Sequence, residues 1–178
     1  MIKEIMKYDN TFNESEFISK VDRIFIMFLD SIMHKDVTMV DHYASDTICS
    51  YVSNLITEYS QKKVIRLFDE ANIKSTDILD FKILDNKYII KVELISRYKD
   101  YFIEEESGSY VSGIDDHRIE TKHILTFEKY VNAIDSGIVT SCTNCVNANE
   151  VGVCPFCNKV ILMEKYEYIL TEIDTFKN

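Results

Sequence analysis

Positive charge is scarce in this chain: 20 lysines and arginines stand against 30 aspartates and glutamates, a formal net charge of −10 with a pI near 4.9. The repulsive field this sets up argues against a phosphate backbone or an anionic lipid surface as the main partner, so nucleic acid is not expected as a ligand. Long apolar runs are missing too. No stretch approaches the ~20 apolar residues that span a bilayer, and the opening MIKEIMKYDNTF has no continuous apolar region of the kind a secretory leader carries. The expectation is an unexported, cytoplasmic protein with no transmembrane segment. Proline occurs once, at Pro155, inside a Cys-Pro-Phe-Cys run.

That run belongs to the densest chemical signal in the sequence. SCTNCVNANEVGVCPFCNKVI holds Cys142, Cys145, Cys154 and Cys157, four of the five cysteines, as two Cys-x-x-Cys pairs. In a reducing compartment structural disulfides are rare, and closely spaced thiol pairs are more often metal ligands or catalytic. Each pair places two thiolates on one tight turn, and two such knuckles supply the four-sulfur tetrahedron of a closed, structural zinc site. Pro155 fixes φ within the second knuckle, and the flanking Gly152 and Asn158 take left-handed conformations cheaply. The first knuckle, CTNC, lacks proline. A thioredoxin-type pair would open a helix within a βαβ unit, and neither pair here precedes an amphipathic pattern. One structural Zn2+ on these four cysteines is the leading expectation, with thiol redox chemistry and disulfides as alternatives. Cys49 falls among Ile48, Val52, Leu55, Ile56 and Tyr59 at helical spacing and reads as a small buried apolar residue.

The rest of the chain divides by hydrophobic period. Phe17, Val21, Ile24, Phe25, Phe28, Leu29 and Ile32 recur at three- and four-residue intervals behind Asn13 as N-cap, with Glu16 completing a capping-box-like start. Asp36 is positioned to cap a short helix through Ala44, and Asp46 a third helix running as far as Phe68. The period then falls to two. Leu79, Phe81 and Ile83 alternate with polar residues, the chain turns at Asp85-Asn86, and Tyr88, Ile90, Val92 and Leu94 resume the alternation, which predicts an antiparallel hairpin. An acidic, glycine-containing stretch, YFIEEESGSYVSGIDDHR, reads as a loop before a third strand in which Thr121, His123, Leu125 and Phe127 share a face. Helices gathered before antiparallel strands predict an α+β fold, N-terminal helices packed on a curved sheet, with a small zinc ribbon inserted near the C-terminus. The expected divisions are an N-terminal segment (residues 1–12), helices plus sheet (13–140), the zinc ribbon (141–161), and a closing strand or C-terminal segment (162–178).

This order of long helix, short helix, helix and long antiparallel strands resembles the cone-shaped nuclear-transport-factor-two-like fold, and more specifically the Tim-forty-four-like domain. In bacterial zinc-ribbon members an aromatic-x-Phe-x-basic strand leads into paired cysteines and an aromatic-aliphatic-Leu strand closes the domain. Here Leu125-Thr126-Phe127-Glu128-Lys129, the four cysteines and YEYILTEI, Tyr166 to Ile173, follow in that order. Leu125 and Tyr168 stand where the family often carries tryptophan. The resemblance implies a non-catalytic binding or tethering domain, a protein partner, and peripheral membrane association as in relatives; it brings no catalytic residues.

Other members of the cone fold are isomerases, dehydratases and cyclases that use an Asp, His or Tyr in the pocket, and the candidates here are Asp22, His42, Tyr43 and His123. Each has a plainer reading: Asp22 on the wet face of its helix, His42 and Tyr43 in a short helix, His123 as a satisfied core residue. Asp115-Asp116-His117 reads as a solvated loop rather than a metal site, and Glu104 to Glu106 as a solvated turn, with a surface for a basic partner as the alternative. The row Tyr88, Ile90, Val92 and Leu94 facing Phe17, Val21, Ile24 and Phe28 is expected to fill much of the cone. The expectation is therefore a non-catalytic interaction domain; the alternatives are a small enzyme using the cone pocket and an acidic immunity or regulator protein neutralising a basic partner.

Overall fold

The structure is a computed structural model that describes residues 1–131 and 167–177. Three α-helices, α1 (Ile2–Tyr8), α2 (Glu14–Met33) and α3 (Asp46–Gln61), precede four strands: β1 (Val64–Leu84), β2 (Lys87–Glu104), β3 (Tyr110–Tyr130) and β4 (Ile169–Lys177). The strands form one antiparallel sheet in the order β1-β2-β3-β4, the α+β arrangement that the change of period predicts.

Helix α2 starts where the sequence says it should. The Asn13 carboxamide oxygen accepts from the backbone N–H groups of Ser15 (3.0 Å) and Glu16 (3.3 Å), satisfying two of the donors that a helix start leaves open. Its apolar stripe, Phe17 through Ile32, is buried in full against Ile90, Val92, Leu94, Leu125 and Phe127. Aromatic edges lock this seam: Phe17 meets Phe127 at 5.6 Å and Tyr168 at 5.2 Å between ring centroids.

Strands of 21, 18 and 21 residues would each run roughly 60–70 Å if flat. Bulges prevent that. Register shifts between Asp69 and Asn72, Ile73 and Ser75, and Ile78 and Asp80 in β1, and between Tyr98 and Asp100 in β2, bend the sheet around the helices. The turn at Asp85-Asn86 is the expected one, both residues having positive φ (50° and 62°) as a two-residue type I′ hairpin requires.

Several boundaries differ from the sequence reading. Residues 1–12 contain α1, whose Ile5 is wholly buried, and the stretch behind Asp36 forms two short 3-10 turns, Val37–Met39 and Asp41–Tyr43, rather than a helix. Ser45, not Asp46, caps α3, its Oγ accepting from Ile48 N at 3.4 Å. The helix expected to reach Phe68 stops at Gln61: Lys63 turns the chain at φ 53°, and Val64 enters β1 opposite Glu104, because the β-branched and aromatic run to Phe68 buries better on a sheet. The acidic stretch expected to be a loop is mostly strand. Strands β2 and β3 continue through it around a short turn, so Asp115, Asp116 and His117 lie exposed on β3. That continuation depends on Gly113, where φ is 110° and a Cβ would come within 2.5 Å of Asp100 O and of Tyr101 Cα. Leu79 does not share a row with Phe81, because the bulge beside Ile78 shifts the alternation; Ile83 keeps the face of Phe81, but it lies next to the hairpin turn and is, like Leu79, 43% exposed.

Candidate functional site

Between α2 and α3 on one side and the sheet on the other lies a cavity of about 460 Å³. The stripe of α2 and the row of β2 are buried as expected, yet they do not fill the cone. Its deep wall is built from buried side chains: Phe28 and Ile32 of α2, Phe68 of β1, Tyr98 of β2 and His123 of β3. Tyr51 and Leu55 of α3 and Asp174 and Thr175 of β4 form the rim, where exposure rises. Phe28 and Tyr51 stack across the entrance, ring centroids 6.4 Å apart and nearly parallel.

His123 is positioned by three strands. Its Nε2 lies 2.9 Å from Ser96 Oγ and its Nδ1 3.0 Å from Thr175 Oγ1, while Phe25 packs on the ring at 4.6 Å between centroids. Burial pushes its pKa from an ordinary 6.5 down to about 4, so the imidazole is neutral at pH 7. Two hydroxyl partners suit a neutral ring, since a hydroxyl donates or accepts as needed. Tyr98 is also buried, and burial pushes its hydroxyl pKa up.

Arg66 brings a charged group to the wall. Its Nε and Nη2 donate to the two carboxylate oxygens of Asp100 at 2.8 and 3.0 Å, Nη1 donates to Tyr59 OH at 3.2 Å, and the guanidinium lies over Phe68, 4.7 Å from the ring centroid. Burial opposes the charge, but hydrogen bonding and attraction to Asp100 prevail and hold Arg66 protonated. Sequence reasoning has no route to this pair, because the apolar run around Arg66 extends the helical pattern and the register that brings Asp100 opposite Phe68 is set by strand pairing.

The four enzyme candidates are not brought together. His123 lines the cavity; Asp22 instead accepts from Thr76 Oγ1 at 2.5 Å, tying α2 to β1 rather than facing water alone. His42 is exposed on a 3-10 turn, and Tyr43 offers its ring to Arg23 at 5.4 Å. In the acidic run Glu105 pairs with Lys35 at 2.8 Å and Glu106 with Lys63 at 3.7 Å. Cys49 is unbridged and half-buried, and burial pushes its thiol pKa up, which suits a packing role.

A second polar cluster lies at the opposite end of α2. Buried Asp9 accepts from Thr11 Oγ1 (2.7 Å), from Lys129 Nζ (3.2 Å) and from Tyr168 OH (3.1 Å). Burial disfavours its charge, but the Thr11 bond and the Lys129 ammonium prevail, and the carboxyl titrates below its ordinary range. Lys20 and Glu167 form an ion pair beside it. Lys129 and Tyr168 flank residues 132–166, so both described ends of that interval are pinned to one carboxylate. Cys142, Cys145, Cys154 and Cys157, and with them the expected zinc ribbon over 141–161, lie outside the described residues; among the described residues no cluster of three or more His, Cys, Asp or Glu is arranged to hold a metal.

The sequence profile of the Tim44-like domain matches residues 1–137. The chain belongs to the Tim44-like family. The Tim44-like match covers the helices and the first three strands and stops before the paired cysteines and β4. No curated protein matches the chain. Among solved structures, the intermembrane space region of the chloroplast protein ARC6 is similar at a TM-score of 0.45 and 5% identity, over 90% of this chain and 97% of that one. Among the described residues no helix of this Tim44-like chain is long and apolar enough to cross a membrane.

Proposed function

We propose that this Tim44-like chain is a non-catalytic protein-interaction or tethering domain, stabilised by one structural zinc on Cys142, Cys145, Cys154 and Cys157. The observation that carries the interaction reading is the end of the β1–β2 hairpin. Ile83 and Leu84 are 43% and 52% exposed there, and Tyr8 of α1, 48% exposed, lies against Phe81 at 6.3 Å between rings. Apolar side chains gathered at one end of a chain otherwise rich in charge suit a protein surface better than water. Beside them β1 pairs only with β2 among the described residues; nearer its start Phe68 N donates to Met33 Sδ of α2, so the stretch of edge towards the hairpin tip is the one offered to a partner. The lysine pairing of Glu105 and Glu106 weighs against the alternative in which the acidic run captures a basic partner.

Support for the zinc comes from cysteine spacing and from the anchoring of Lys129 and Tyr168, which holds both flanks of the cysteine segment at one place on the body. Four thiolates complete zinc's tetrahedron, so the metal's contribution is to folding and it offers no open position for chemistry.

Photo-crosslinking in the native cell tests the interaction. A photoreactive residue at position 84 is expected to give a discrete protein adduct that Ile83→Asp abolishes, whereas the same residue at position 54 on α3 gives none. Adducts of equal yield from both positions would defeat the proposal.

A further inference from the structure

We infer that the cavity between α2, α3 and the sheet is a binding site for a small neutral aromatic compound bearing one carbonyl or hydroxyl oxygen, with that oxygen accepting a hydrogen bond from Arg66. This goes beyond the interaction reading and does not depend on it.

Size and lining select the class. About 460 Å³ falls within the roughly 300–1,000 Å³ typical of small-molecule sites. Phe28, Phe68, Tyr51 and Tyr98 bring four aromatic rings to the wall, beside the aliphatic Leu29, Ile32, Leu55 and Ile173, and a planar ring stacks on or meets the edges of such rings. A closed core of these residues would leave no such space; here buried side chains surround a void that opens at the rim.

Polar groups fix the ligand's one oxygen. A guanidinium has five N–H donors. Arg66 uses three of them, on Asp100 and Tyr59, and among the described residues the remaining two have no acceptor. By contrast, both ring nitrogens of His123 are taken by Ser96 and Thr175. Arg66 therefore has donors to spare at this wall, beside the hydroxyls of Tyr98 and Tyr51.

Charge decides between neutral and ionic ligands. The positive charge of Arg66 is already matched by Asp100 at 2.8 Å, His123 is uncharged at neutral pH, and Asp174 adds a carboxylate at the rim. A carboxylate or sulfonate ligand would meet net negative charge, and a cation would meet the guanidinium face on. A neutral oxygen avoids both.

The probe that tests this is prodan, a neutral naphthalene ketone whose emission moves to the blue in apolar surroundings, titrated into the full chain near pH 7. The expected result is saturable one-to-one binding with a blue shift, and intermolecular NOEs from the naphthalene protons to the methyl groups of Leu29, Ile32 and Leu55. Leu55→Trp, which fills the cavity from α3, should weaken binding at least tenfold. Arg66→Lys, which keeps a cation opposite Asp100 but removes the spare planar donors, should weaken it about fivefold, and Leu84→Ser on the hairpin tip should leave it unchanged. Absence of saturable binding, NOEs to the hairpin tip instead of the cavity methyls, or tighter cavity binding by the anion anilinonaphthalene sulfonate would each overturn the inference. The NOE measurement on the unsubstituted chain stands even if a variant fails to fold.

Discussion

Arg66 and Asp100 face each other across the first two strands as a bidentate pair, 2.8 and 3.0 Å, with the Asp100 side chain only 4% exposed. Removing one partner leaves a charge in a poorly solvated place. Asp100→Ala is expected to cost about 3–5 kcal/mol of stability, while the joint replacement Arg66→Met with Asp100→Leu should cost far less, since a buried pair exchanged for apolar groups is often nearly neutral. Urea unfolding of the three proteins measures this, and equal losses in the single and joint variants would refute it.

Acid should weaken the fold through His123. Its pKa is about 4 in the folded chain against 6.5 ordinarily, so the unfolded chain binds the proton first as pH falls. Stability is therefore complete above pH 6.5 and declines from there towards pH 4, by roughly 1.4 kcal/mol per pH unit at the steepest. His123→Gln should flatten that part of the stability curve, although it lowers the curve as a whole by disturbing Ser96 and Thr175. Chemical denaturation at half-unit intervals of pH gives the slope.

Glycine replacements separate strain from crowding. Gly108 has φ 71° with nothing within 4 Å of the place a Cβ would take, so Gly108→Ala is expected to cost about 1–2 kcal/mol from the left-handed backbone alone. Gly113→Ala adds a clash with the Asp100 carbonyl and should cost clearly more, with protection lost along the outer ends of β2 and β3. Thermal melts combined with hydrogen exchange would reveal both effects, and indistinguishable variants would show that the strand ends yield freely.

The zinc proposal is checked by elemental analysis of protein purified without chelator. The expected content is one zinc per chain, and near-zero metal with two disulfides under reducing handling would end the proposal. Zinc binding in small peptide sites is worth ~10–16 kcal/mol, so Cys154→Ser should abolish hydrogen-exchange protection over residues 141–161 while α2 keeps its own.

Much of the fold can be read from the sequence where burial has a single period. Asn13 with seven apolar residues behind it admits only α2, and the rows on β2 and β3 admit only strands because every second residue is buried. Val64 to Phe68 is different: apolar at four of five positions, it satisfies either period, and no glycine or proline marks the end of α3. Helix α1 is too short for periodicity, with Ile5 its one buried residue. The cavity is illegible for another reason. Phe28 and Ile32 are buried whether or not they touch the sheet beneath them, and the stand-off between layers depends on bulges at Asp69 and Ile78 that leave no pattern in the residues themselves.

The Asp9 cluster also bears on the order in which this protein is made. Tyr168 bonds a carboxylate 159 residues earlier in the chain, and β4 completes the sheet from the same late segment. On the ribosome the helices and the first hairpin emerge with their local partners at hand, but the seat prepared by Asp9 and Lys129 stays incomplete until Tyr168 has been synthesised and cleared the exit tunnel. Contacts so distant in sequence close late and slowly. The cysteine segment is translated before that closure, so the zinc proposed for it would be captured in a time window in which the body of the domain is still open at that end.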